Sequence, residues 1–94
     1  MRVVVGLLTV DLFISDAMSL KDRRRVVTSL IDRLSNRHNV AVSDLGPDRA
    51  SQAVVAIATV SNDEAHVHRV LDAALRLIES EPRVVCERVE TEIL

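Results

Sequence analysis

The stretch VVVGLLTVDLFISDAMSLKDRRRVV, residues 3–27, changes its periodicity partway along. Val3 to Ile14 is rich in Val, Leu and Ile, as a strand with both faces partly covered should be. Its even positions, Val4, Gly6, Leu8, Val10, Leu12 and Ile14, are uniformly apolar and form the side expected to meet helices. Its odd positions mix Thr9, Asp11 and Phe13 with Val3, Val5 and Leu7. Ser15 to Met18 reads as a turn. From Ser19 to about His38 the period is helical, with Leu20, Val27, Leu30, Ile31 and Leu34 in one stripe. Ser19 with Asp22 three residues on is a capping-box-like start, and Arg37 and His38 suit the negative end of the helix dipole.

Working outward, Val40 to Leu45 reads as a strand stopped by Gly46-Pro47, and residues 46–51 form a loop. Ala53 to Val60 is a strand of small apolar side chains. Ser61 with Glu64 predicts a capping box, followed by a helix whose stripe is Val67, Val70, Leu71, Ala74, Leu77 and Ile78. Glu81-Pro82 ends that helix. Arg83 to Ile93 alternates irregularly, as an edge strand does. The order βαββαβ in a single domain, residues 1–94, predicts a ferredoxin-like α+β sandwich. Its four-stranded antiparallel sheet should have spatial order 4-1-3-2, with right-handed crossovers and both helices on one face. The opposite face has nothing to cover it. Val3, Val5 and Leu7 would be exposed there, and an apolar patch of that kind predicts a homodimer through the open sheet face or its edge.

Composition sets the limits. With 94 residues, the chain suits one core that buries roughly 60–68% of the surface its unfolded form exposes. Phe13 is the one aromatic residue, so the core must come from Val, Leu, Ile and Ala. The net charge is −2 but uneven: residues 1–47 carry seven Lys/Arg against five Asp, residues 48–94 five Arg against nine Asp/Glu. Cys86 is alone, which excludes an intramolecular disulfide and fits a reducing compartment. The first apolar run is broken by Thr9 and Asp11 and lacks the flanks of a signal peptide. A cytoplasmic protein with no membrane contact is expected.

Of the chemistry-bearing residues, the basic cluster Lys21, Arg23, Arg24 and Arg25 is the first candidate, as an anion- or RNA-binding site. Arginine suits phosphate through bidentate bonding. Positive charge in a first helical turn opposes the dipole, which suggests a use beyond helix stability. By helical arithmetic Arg24 lies near the apolar stripe, while Lys21, Arg25 and Arg33 share the exposed side. The competing reading is a solvated face, with Arg23 or Arg24 held by an acidic partner such as Asp44. Stacking recognition of RNA needs aromatics on the central strands, and Phe13 alone does not supply them. His66 and His68, two apart on a helix, point to different sides and cannot ligate as an i, i+4 pair. Cys86 reads as a small apolar residue, Ser61 and Asn62 as caps, and Glu87, Glu90 and Glu92 as a charged edge with Arg88. No nucleophile, metal or paired-base set is present, so neither an enzyme nor a cofactor is expected.

Several stretches carry a family likeness. Ser19-Leu20-Lys21-Asp22-Arg23-Arg24 resembles the S-L-K-E-K-R signature of the YlxP-like proteins, a bacterial domain of unknown function. Asn39 to Ser43, Asp44-Leu45-Gly46, Gln52-Ala53-Val54 and Val60 to Asp63 follow the same layout. Asp22 and Asp44 stand where Glu is commoner, and Ala50-Ser51 stand near the usual place of an aromatic. The resemblance implies a ferredoxin-like fold and, through the setting of the family's genes, an association with RNA or the ribosome. Together these readings predict a small non-enzymatic binding protein using Lys21, Arg23, Arg24 and Arg25. The alternative is a homodimeric regulatory module holding a small ligand at the subunit interface.

Overall fold

A computed structural model describes residues 1–94. The elements follow as β1 (Val4–Ile14), α1 (Leu20–Arg37), β2 (Ala41–Asp44), β3 (Gln52–Ser61), α2 (Glu64–Glu79) and β4 (Val84–Ile93). One sheet has order β2-β3-β1-β4, and every neighbouring pair is antiparallel. The ferredoxin-like α+β arrangement expected from the periodicities is the one found.

β1 lies inside the sheet, and its sidedness is that of its sequence. Val4, Leu8, Val10, Leu12 and Ile14 are buried, with Gly6 among them. β3 contributes Ala53, Val55 and Ile57 to the same core. The helices cover that face with Val26, Val27, Leu30 and Leu34 from α1 and Val67, Leu71, Ala74, Leu77 and Ile78 from α2. Gly6 is required by close approach: a Cβ there would lie 2.3 Å from Cγ1 of Val67 and 2.9 Å from Cδ1 of Leu71. α2 therefore rests directly on the β1 backbone.

The other face has no helix. Val5, Leu7 and Thr9 of β1 and Val54, Ala56 and Ala58 of β3 lie half-buried on it, and Ala41 of β2 and Val60 are exposed. Leu7, Ala41, Ser43, Ala56 and Ala58 line a shallow, mostly apolar hollow. Val3 precedes the strand and is 62% exposed.

Two helix starts differ from expectation in detail. α2 is capped by Asp63, whose Oδ1 accepts from the backbone N–H of Ala65 at 3.0 Å; Ser61 instead accepts from the N–H of Asp63. Ser61 is still paired in β3, opposite Val4, so the chain can turn only after it. In α1, Leu20 is 42% exposed and the inward place is taken by Arg23, four residues before Val27 and seven before Leu30. β4 carries a bulge: Leu12 faces Cys86 and Asp11 faces Arg88, which leaves Glu87 unpaired. No helix is long and apolar enough to cross a membrane.

Candidate functional site

The basic cluster begins where α1 begins. Ser19 Oγ accepts from the N–H of Asp22 at 3.1 Å, and Asp22 Oδ2 accepts from the N–H of Met18 at 3.0 Å. The two side chains satisfy each other's neighbourhood as a capping box does, reaching one residue further back. The bond from Met18, with those of Ser19 and the field of Arg25, holds the Asp22 carboxyl below its usual range.

The cluster then divides. Arg23 turns inward and its side chain is only 5% exposed. Its Nη1 and Nη2 donate to Oδ2 and Oδ1 of Asp44 at 2.7 and 2.8 Å, and its Nε donates to the Gln52 carbonyl at 2.7 Å. This fork uses the planar guanidinium in full and fastens α1 to the ends of β2 and β3. Asp44 also accepts from the N–H of Gly46 at 2.9 Å, so one carboxylate orders the turn after β2 and receives the arginine. The bond from Arg23 keeps the Asp44 carboxyl below the ordinary range. Arg23 is thus a structural clamp, with the acidic partner that the sequence offered for it.

Lys21, Arg24 and Arg25 remain on the surface and form no salt bridge within the chain. Their spacing, i, i+3 and i+4, puts them on one side of the helix as neighbours. Arg24 belongs with them and not near the apolar stripe, because Arg23 fills the inward position.

A second charged arrangement centres on Glu81. Glu81 is 4% exposed, in the loop between α2 and β4. Its Oε1 accepts from Arg33 Nη2 at 2.6 Å and Arg83 Nη2 at 2.8 Å. Its Oε2 accepts from Arg83 Nε at 2.8 Å and the Arg83 N–H at 3.0 Å. Chiefly the Arg83 bonds, and after them Arg33, hold this carboxyl at about 2, against an ordinary 4.5. The legible signal is a glutamate before a proline with an arginine two residues on: a carboxylate placed to close its own turn. Arg33 from α1 completes it across the fold.

Beside the basic face, Ser15, Asp16, Ala17, Asp22, Arg25, Val26, Pro82 and Arg83 line an open cleft of about 330 Å³. Two aspartates and two arginines share it, so it has no excess of charge for a small anion. His66 and His68 are both exposed on α2. Cys86 is half-buried in β4, and burial, with Glu79 nearby, pushes its thiol up, away from the reactive thiolate.

Comparison with known proteins agrees with this picture of a fold without an assigned chemistry. The chain is 30% identical over 82 residues to the uncharacterized protein YlxP of Bacillus subtilis (strain 168), covering 86% of this chain and 89% of that one. A solved structure, the de novo designed protein Foldit4, superposes with a TM-score of 0.57 at 17% identity, covering 99% of this chain and 97% of that one. That likeness concerns the fold alone. Residues 5–92 match the family described as protein of unknown function DUF503. With this match over nearly its whole length, the chain belongs to the DUF503 family.

Proposed function

We propose that this protein is a non-enzymatic RNA-binding module that works as a homodimer, with each copy presenting the basic face of α1 to a phosphate backbone. The observation that carries the reading is the set Lys21, Arg24 and Arg25: exposed, on one side of the helix, and in no salt bridge within the chain. They stand at the positive end of the α1 dipole, where positive charge lowers helix stability. Arg23 beside them is committed to Asp44, so the site is smaller than the sequence cluster. Contact through guanidinium and ammonium groups without stacking aromatics gives sequence-tolerant, salt-sensitive binding. The setting of the family's genes, among those for translation and ribosome maturation, supports the same reading.

The test is co-sedimentation with ribosomal RNA and with intact ribosomes at low and moderate salt. Binding at low salt, weakened by added salt and lost in a K21A/R24A/R25A variant, is the expected result. No binding at low salt, or binding unchanged in that variant, overturns the reading.

A further inference from the structure

We infer that two copies of this chain join edge to edge through β4, extending the two sheets into one eight-stranded antiparallel sheet about a two-fold axis at Val89. The inference specifies the self-association proposed above and is independent of the RNA contact.

β4 is the sheet's long free edge. β2, at the other edge, pairs with β3 over Ala41–Asp44. Leu94 and Val5 exchange backbone hydrogen bonds, with the N–H of Leu94 donating to Val5 at 2.8 Å. Alternation along an antiparallel strand then points the backbone groups of Glu92, Glu90 and Arg88 toward β1 and those of Ile93, Thr91 and Val89 outward. Val89 lies on the helix-covered face, opposite the fully buried Val10, yet is 41% exposed because no strand lies beyond it. A second Val89 across the axis closes that gap.

Charges on an edge strand ordinarily guard it against pairing. Here the pattern rejects its near registers and accepts one. Arg88 and Glu90 lie on the open face and pair with each other within the strand. An axis through Arg88 sets arginine against arginine. An axis through Glu90 sets glutamate against glutamate, and one through Thr91 sets Glu90 against Glu92. An axis through Val89 sets Arg88 opposite Glu90 of the second copy, and Glu90 opposite its Arg88, in non-hydrogen-bonded positions where side chains come closest. Because Thr91 would face the bulged Glu87 of the second copy, the regular ladder about this axis is short, running from Arg88 to Glu90 on each strand.

The experiment is sedimentation velocity across a range of concentrations on the full chain and on R88E, E90R and the R88E/E90R swap, with far-UV circular dichroism confirming that each is folded. The wild type should sediment at twice the 10.4 kDa chain mass. Each single variant places two like-charged pairs across the axis and should weaken association about tenfold. The swap restores opposite charges and should return association to near the wild-type value. A monomeric wild type overturns this interface and the self-association together. Dimeric single variants of wild-type affinity overturn the edge alone, and single variants that weaken without rescue by the swap overturn the register.

Discussion

The guanidinium of Arg23 and the carboxylate of Asp44 meet in parallel at 2.7 and 2.8 Å, with the arginine buried and the aspartate at the rim. The pair joins the first turn of α1 to the end of β2, a strand of only four residues. Removing the acid leaves a buried cation with one carbonyl acceptor, that of Gln52. D44A should therefore lose about 2–4 kcal/mol, and R23M, which removes the charge and keeps an apolar filler, should lose less. Urea unfolding followed by far-UV circular dichroism measures both, since the chain has no Trp or Tyr. A loss in D44A below about 0.5 kcal/mol would mean that Arg23 is solvated without its partner.

Glu81 makes stability depend on acid. Its carboxyl titrates near 4.5 when unfolded and near 2 when folded. The unfolded state thus binds the proton more readily, and the contribution is fully present above pH 4.5 and lost as pH falls toward 2. It amounts to at most about 3 kcal/mol. Asp22 and Asp44 are lowered too, so their contributions are lost in the same direction. E81Q should be less stable at neutral pH and should show a shallower fall across that window. An unchanged slope would show that Glu81 is not a source of the acid sensitivity.

At Gly6 the space for a side chain is already occupied. G6A must displace Cγ1 of Val67, a short branched side chain on the buried face of α2, and should cost about 1–3 kcal/mol. V67A frees that space. Thermal unfolding of G6A, V67A and the double variant should then give a cost smaller than the sum of the two singles. Strict additivity would place the strain elsewhere.

The basic face should behave oppositely in stability and in binding. Lys21, Arg24 and Arg25 crowd positive charge at the start of α1 and form no salt bridge within the chain. Replacement of Lys21 or Arg24 by Ala or Gln should leave stability unchanged or raise it by up to about 0.5 kcal/mol, and R25A, which also gives up its favourable field on Asp22, should gain less. The same variants should lower the slope of log K against log salt for RNA by roughly 0.7–0.9 per charge removed. A variant that loses stability assigns these residues to the fold instead.

The strands and helices were legible because one face of each is apolar at its own period. β1 shows this best: its alternating residues are buried or not as their parity requires. The charged contacts were legible only in part. Asp44 could be named as a partner for the cluster, but choosing Arg23 over Arg24 required the helix phase to within one residue. Leu20 points to the wrong phase, because an apolar residue in the first turn can stay in solvent. Glu81 gave less away. Its partners Arg33 and Arg83 lie far apart along the chain, and only the crossing of α1 over the α2–β4 loop brings them together. The Glu87 bulge was hidden too, since an irregular alternation does not say which residue is the extra one. The cap of α2 depended on how far β3 stays paired, which is a property of β1 as much as of Ser61.

β1 lies between β3 and β4, and both of these come from the second half of the chain. During synthesis, a nascent segment holding only β1, α1 and β2 would have no strand to lay against β1, because β2 is never its neighbour. Such a segment would hold its most apolar stretch in the open while the rest is translated. Closure of the sandwich must await the arrival of β3, and the second flank of β1 must await residues 84–93.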